Sequence, residues 1–87
     1  MEFKVPIQIR ASSTPIFLKV VLIQQFPLTP PIIQIMTNVI HKDIDSNNFT
    51  YKGNAISRWT PQSNLVNLIQ QIQIEFNGEP PIPVALI

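Results

Sequence analysis

The stretch W-T-P-Q-S-N-L-V-N-L-I-Q-Q-I-Q-I-E-F-N-G-E-P-P, from Trp59 to Pro81, constrains the fold more than any other part of the chain. Leu65, Leu68, Ile69, Ile72 and Phe76 recur at helical spacing, while Asn67, Gln70, Gln71 and Gln73 fall elsewhere. The ends carry signals too. Thr60 is placed to accept hydrogen bonds from the first free N–H groups, and Pro61 suits a first helical position that has no donor to satisfy. Asn77-Gly78 offers a left-handed stop, and Pro80-Pro81 prevents the helix from resuming. A stripe of about four turns must then find an apolar surface to lie on.

The residues before it supply one. Phe3, Val5, Ile7 and Ile9 alternate with Glu2, Lys4, Pro6, Gln8 and Arg10, the pattern of a half-buried strand. Pro6 assigns that strand to a sheet edge or to a place where its N–H would point away. Ala11 to Pro15 reads as a turn. Ile16 to Ile23 is nearly all apolar, as expected of a central strand covered on both faces. Three prolines between Gln24 and Pro31 exclude regular structure there, and Ile32 to Met36 makes a third short strand. The expected fold class is α+β: a three-stranded antiparallel meander with one long helix packed on the sheet, as a single domain over residues 1–87.

Thr37 to Arg58 shows little periodicity, and a loop this long in so small a domain marks the first place to look for a site. Asp45-Ser46-Asn47-Asn48 and Lys52-Gly53-Asn54 read as turns around a short extended piece, Phe49 to Tyr51.

Composition narrows the chemistry. The chain has no cysteine, which excludes disulfides, thiolate metal sites and thioester chemistry. Lys4, Arg10, Lys19, Lys42, Lys52 and Arg58 are scattered and the net charge is +1, so nothing points to nucleic acid. No apolar run reaches the roughly 18 residues of a membrane span. Charged residues make up 13% of the chain, about half the share of a typical soluble domain. That deficit reads either as a biased genome or as surface covered by other subunits.

His41, the one histidine, lies near Asp43 and Asp45. Their spacing matches no defined metal site and favours ordinary hydrogen bonding. Ser46 and Ser57 lack a nucleophile context, and two glycines, Gly53 and Gly78, make no phosphate-cradling loop. Trp59 reads as a core anchor and Tyr51 as half-buried structure. The residues call for no cofactor and no metal.

The order of motifs resembles a known family. A strand, F-P-L-T-P-P (Phe26–Pro31), a strand, a long loop with His and Asp, W-T-P-Q-S-N-L-V-N-L-I-Q (Trp59–Gln70) and E-F-N-G-E-P-P (Glu75–Pro81) follow one another as in the ubiquitin-conjugating enzyme fold. The set is most similar to the ubiquitin E2 variant (UEV) domain of the tumour-susceptibility type, from the ESCRT-I sorting complex, over Val5 to about Pro83. The resemblance places Tyr51 near the position of the thioester cysteine in active conjugating enzymes, which implies a non-catalytic domain. It also implies protein binding: a groove for proline-rich peptides of the Pro-Thr-Ala-Pro type, a separate ubiquitin face, and a place in protein transport, cytoplasmic or endosomal. Carried onto this chain, the partner-binding positions are Ile9, Thr14, Tyr51 and Ile82.

The departures are specific. Ile9 and Thr14 stand where the family has tyrosines, Pro15 where it has asparagine, and Ile82-Pro83 where it has a Val-Phe pair. Near Val21 and Gln34 the family carries aromatic residues. Losing such ring faces removes contacts worth about 1–3 kcal/mol each. A complete member also begins with a helix and a further strand, which this chain lacks. The expected consequence is an open apolar edge at Glu2–Arg10 that pairs with other protein subunits. The alternative is a structural accessory subunit of a large organellar or ciliary assembly that has lost both ligands.

Overall fold

A computed structural model describes residues 1–10 and 14–83, with Pro83 described in its backbone alone. Strands β1 (Glu2–Ile7), β2 (Ile16–Val21) and β3 (Ile32–Ile35) form an antiparallel sheet in that order. Then come β4 (Val39–Ile40), the short helix α1 (Asn54–Ser57), the long helix α2 (Leu65–Gly78) and β5 (Ile82–Pro83), which pairs with β4. The chain is α+β, a three-stranded meander with a C-terminal helix packed on it.

Pairing runs Phe3↔Val20, Val5↔Leu18 and Ile7↔Ile16 on one side of β2, and Leu18↔Ile35 and Val20↔Ile33 on the other. This puts Ile7, Ile16, Leu18, Val20, Ile33 and Ile35 on one face, where they join Leu68, Ile72 and Phe76 of α2 in one core. Leu65 and Ile69 pack at its margin, so the helical stripe lies where its periodicity assigned it. The core-side Phe3, by contrast, keeps 36% of its surface exposed.

Burial along β2 alternates instead of being complete. Phe17 is 41% exposed and Ile32 of β3 38%, because α2 covers only one face of the sheet. The expectation of a strand covered on both sides is corrected here: β2 is buried on one face, and its other face carries Phe17, Lys19 and Val21.

The helix starts later than its sequence suggests. Thr60 to Ser63 close a turn of their own, with Ser63 N–H donating to the Thr60 carbonyl at 2.9 Å and Thr60 N–H to Ser63 Oγ at 3.0 Å. The cap is Asn64, whose extended backbone lets Oδ1 accept from Asn67 N–H at 2.9 Å. The stop is also different. No described glycine has a positive φ; Gly78 is the last helical residue, Glu79 N–H still donates to the Glu75 carbonyl at 2.9 Å, and Pro80 ends the run.

The segment Thr37–Arg58 is more ordered than its lack of period implies. Ile35 N–H donates to Phe49 O at 2.8 Å and Tyr51 N–H to Ile33 O at 2.7 Å, so Phe49–Tyr51 runs along β3 as the expected extended piece. Asp45 Oδ1 accepts from Asn47 N–H and the Asp45 carbonyl from Phe49 N–H, at 2.8 and 2.7 Å, forming the expected turn. Its left-handed residue is Phe49, with φ 58°. Lys52-Gly53-Asn54 leads instead into α1. The predicted turn at Ala11–Pro15 lies mostly outside the described residues.

Candidate functional site

Tyr51 is the centre of the loop's structure. Its ring is 2% exposed and meets Phe76 edge-on, with centroids 6.2 Å apart. The hydroxyl donates to Glu75 Oε1 and accepts from Ala55 N–H, the latter at 3.2 Å. One phenol thereby ties the β3-flanking segment to α2 and to the first turn of α1. Burial, reinforced by the Glu75 carboxylate, raises its pKa well above the usual tyrosine value. Gly53 borders it so closely that a Cβ there would lie 2.6 Å from Tyr51 Cζ.

His41 is a second tie. Its ring stacks at a tilt on Phe76, centroids 5.0 Å apart. Nδ1 accepts from Asp43 N–H at 3.0 Å, and Nε2 lies 2.7 Å from the Glu79 carbonyl. A carbonyl can only accept, so Nε2 carries the proton. Both ring nitrogens are engaged in joining the loop to the end of α2. Among the described residues no three His, Asp or Glu side chains are grouped to hold a metal ion.

Two depressions flank Glu75. The larger, about 350 Å³, opens between α1 and the start of α2 and is lined by Asn54, Arg58, Trp59, Asn64, Asn67 and Gln71 among others. The smaller, about 150 Å³, is bounded by His41, Lys42, Asp43 and Glu79. Ser57 Oγ donates to the Asn54 carbonyl at 3.1 Å. Trp59 anchors the larger depression: its indole N–H donates to the Pro27 carbonyl at 3.0 Å, and its ring lies 5.6 Å from that of Phe26.

The four sequence-derived partner positions divide. Ile9 and Tyr51 are each 2% exposed and present no surface to a partner. Ile9 is sealed by the clasp between its neighbours and α2, where Arg10 N–H donates to Asn77 Oδ1 at 2.8 Å and Gln73 Nε2 to the Gln8 carbonyl at 2.7 Å. Thr14 is exposed, and so is Ile82, at 51%, paired with Ile40 across the β4–β5 ribbon. Val21 and Gln34, where the resemblance leads one to expect aromatic residues, are half-buried.

The Glu2–Arg10 edge is sharper than the sequence made it. Regular pairing with β2 ends at Ile7. Leu22 N–H donates to the Met1 carbonyl at 2.8 Å, and alternation along the ladder then turns the odd residues of β1 toward β2. Glu2, Lys4 and Pro6 therefore aim their backbone groups outward. Pro6 occupies a position where no ladder donor is needed. The far edge of the sheet, at β3, is taken by Phe49–Tyr51, which leaves β1 as the open one among the described residues.

No protein-family model matches this chain, and no curated protein matches it. No helix among the described residues is long and apolar enough to cross a membrane.

Proposed function

We propose that this chain is a non-catalytic interaction or scaffold subunit with the architecture of a ubiquitin E2 variant domain, working in an ESCRT-I-like, ubiquitin-dependent sorting complex. The observation that carries the reading is Tyr51. By the resemblance it stands near the thioester position, and here that position holds a phenol 2% exposed, bonded to Glu75 and Ala55. A group locked into the core offers neither a nucleophile nor a leaving group. The meander, the Phe26–Pro31 turn, the Trp59 anchor and α2 follow in the order the family leads one to expect. Partners are other protein subunits, docking along β1.

A second reading, an accessory subunit of a larger assembly without ubiquitin or peptide binding, draws on a separate observation. Ile9 is buried, and the outer face of the sheet offers Phe17 and Ile32 where the family's rings near Val21 and Gln34 are missing.

Titrating the isotope-labelled chain with ubiquitin and with a Pro-Thr-Ala-Pro peptide separates the two. Under the sorting reading, backbone resonances around Val21 and Gln34 move with ubiquitin, and those around Thr14 and Ile82 move with the peptide. Spectra unchanged by either ligand at millimolar concentration reject the sorting reading and leave the accessory one.

A further inference from the structure

Three features of β1 specify what completes it. Its outward backbone groups are the N–H of Glu2 and Lys4 and the carbonyls of Glu2, Lys4 and Pro6, by the alternation described above. Lys4 faces Lys19 directly across the β1–β2 pair, a like-charge pairing that costs stability. Lys19 is neutralised by Glu2 at 3.6 Å, while Lys4 has no carboxylate partner among the described residues and rests 5.9 Å from the Phe17 ring centroid. Phe3 points to the core side of the sheet and yet is 36% exposed, because no described residue pairs with β1 beyond the edge.

We infer that β1 pairs antiparallel with β1 of a second copy of this chain, about a two-fold axis at Phe3, joining the two sheets into one. This rests on the reading of β1 as the docking element and names its partner. In that register Glu2 of each copy stands opposite Lys4 of the other. Both residues exchange N–H and C=O with their opposite number, giving four backbone hydrogen bonds in two hydrogen-bonded pairs. Each Lys4 gains the carboxylate it lacks. The two Phe3 rings face each other on the core side, in the closer non-hydrogen-bonded pair.

Charge and donors pick this register from the alternatives. A slip one way sets Glu2 against Glu2. A slip the other way sets Lys4 against Lys4 and pairs Glu2 with Pro6, which has no N–H to return. The two-fold contact is self-complementary and closes, so it yields a dimer and not a growing sheet.

The test uses the full chain of 87 residues with any purification tag at the C-terminus. Sedimentation equilibrium between about 10 µM and about 1 mM spans the range in which so small an interface is populated. The wild type shifts from monomer to dimer over this range. Glu2→Lys and Lys4→Glu each turn two opposite-charge pairs into like-charge pairs and weaken self-association about tenfold. Mixing the two variants restores it. The introduced lysine of one copy then faces the introduced glutamate of the other, and the retained Lys4 faces the retained Glu2. Lys4→Pro deletes an outward donor without touching the β1–β2 ladder, so it keeps the circular dichroism spectrum and stays monomeric.

A wild type that is monomeric throughout overturns the inference. So does a dimer indifferent to the two charge reversals and to Lys4→Pro, which would place the contact elsewhere. Neither outcome alters the ubiquitin and peptide titrations, so the broader reading stands or falls separately.

Discussion

Tyr51 has no freedom to change its neighbours, and Gly53 is the neighbour that shows it. The glycine φ is −84°, well within the range of any residue, so its smallness matters for space and not for backbone conformation. A Cβ at this position would come 2.6 Å from Tyr51 Cζ and 2.7 Å from Cε1, far inside van der Waals contact. The ring cannot retreat, since it is packed on Phe76 and its hydroxyl is bonded on both sides. Gly53→Ala should therefore destabilise the chain by about 1–3 kcal/mol, as overpacking does, measured as a lower urea midpoint. Gly78→Ala serves as the comparison. Apart from its chain neighbours and its own helix, no described residue comes within 4 Å of a Cβ there, and alanine is the better helix former. A Gly53→Ala chain as stable as Gly78→Ala would show that the Tyr51 ring is not held as described.

At the scale of the element, α2 shows how local competition decides a boundary. Two segments, T-P-Q-S and S-N-L-V, both carry capping chemistry. The first folds on itself through Thr60 and Ser63, and the second caps the helix through Asn64. Asn64→Ala should cost about 1 kcal/mol, the usual worth of an N-cap. Thr60→Ala removes only an exposed hydroxyl contact and should change stability by less than about 0.5 kcal/mol. Thermal melts of the two variants decide between the caps, and the reverse order would return the helix start to Thr60. The existence of α2, its apolar face and the three-strand meander were legible in the sequence, because each rests on a periodicity that burial enforces along Leu68, Ile72 and Phe76 and along Ile16, Leu18 and Val20. Where the helix begins was not, since Thr60 and Asn64 make equally good caps until Ser63 is placed. The one-sided burial of β2 was not legible either. Phe17 and Val21 are as apolar as Leu18 and Val20, and only the path of α2 decides which pair is covered. Among the candidate site residues, the burial of Ile9 was foreshadowed by its place in the alternation Phe3, Val5, Ile7, Ile9, which continues past the end of β1. The two bonds of the Tyr51 hydroxyl join residues four and twenty-four positions away, and no local pattern announces them.

For the molecule as a whole, the same phenol links stability to pH. Tyr51 is the one tyrosine in the chain, and burial first, then the hydrogen bond to Glu75, raises its folded pKa. In the unfolded chain it titrates near the ordinary value of about 10. Between those two points the unfolded state has released a proton that the folded state still holds. Unfolding is then favoured as pH rises, so the contribution of Tyr51 is complete below about pH 10 and is lost progressively above it. Phenolate absorbance in the near ultraviolet reports this one residue. The expected alkaline titration has its midpoint above that of a free tyrosine and coincides with loss of the helical circular dichroism signal, because the ring ionises when the core opens. Tyr51→Phe removes the linkage along with two hydrogen bonds, lowering stability at neutral pH by about 1–2 kcal/mol while flattening its fall above about pH 10. Every other ionisable side chain remains in the variant, so the difference between the two alkaline curves belongs to Tyr51. A native chain whose phenol titrates at the free value with its helix intact would mean that the ring ionises inside the fold, and the burial of Tyr51 would then not be what holds its proton.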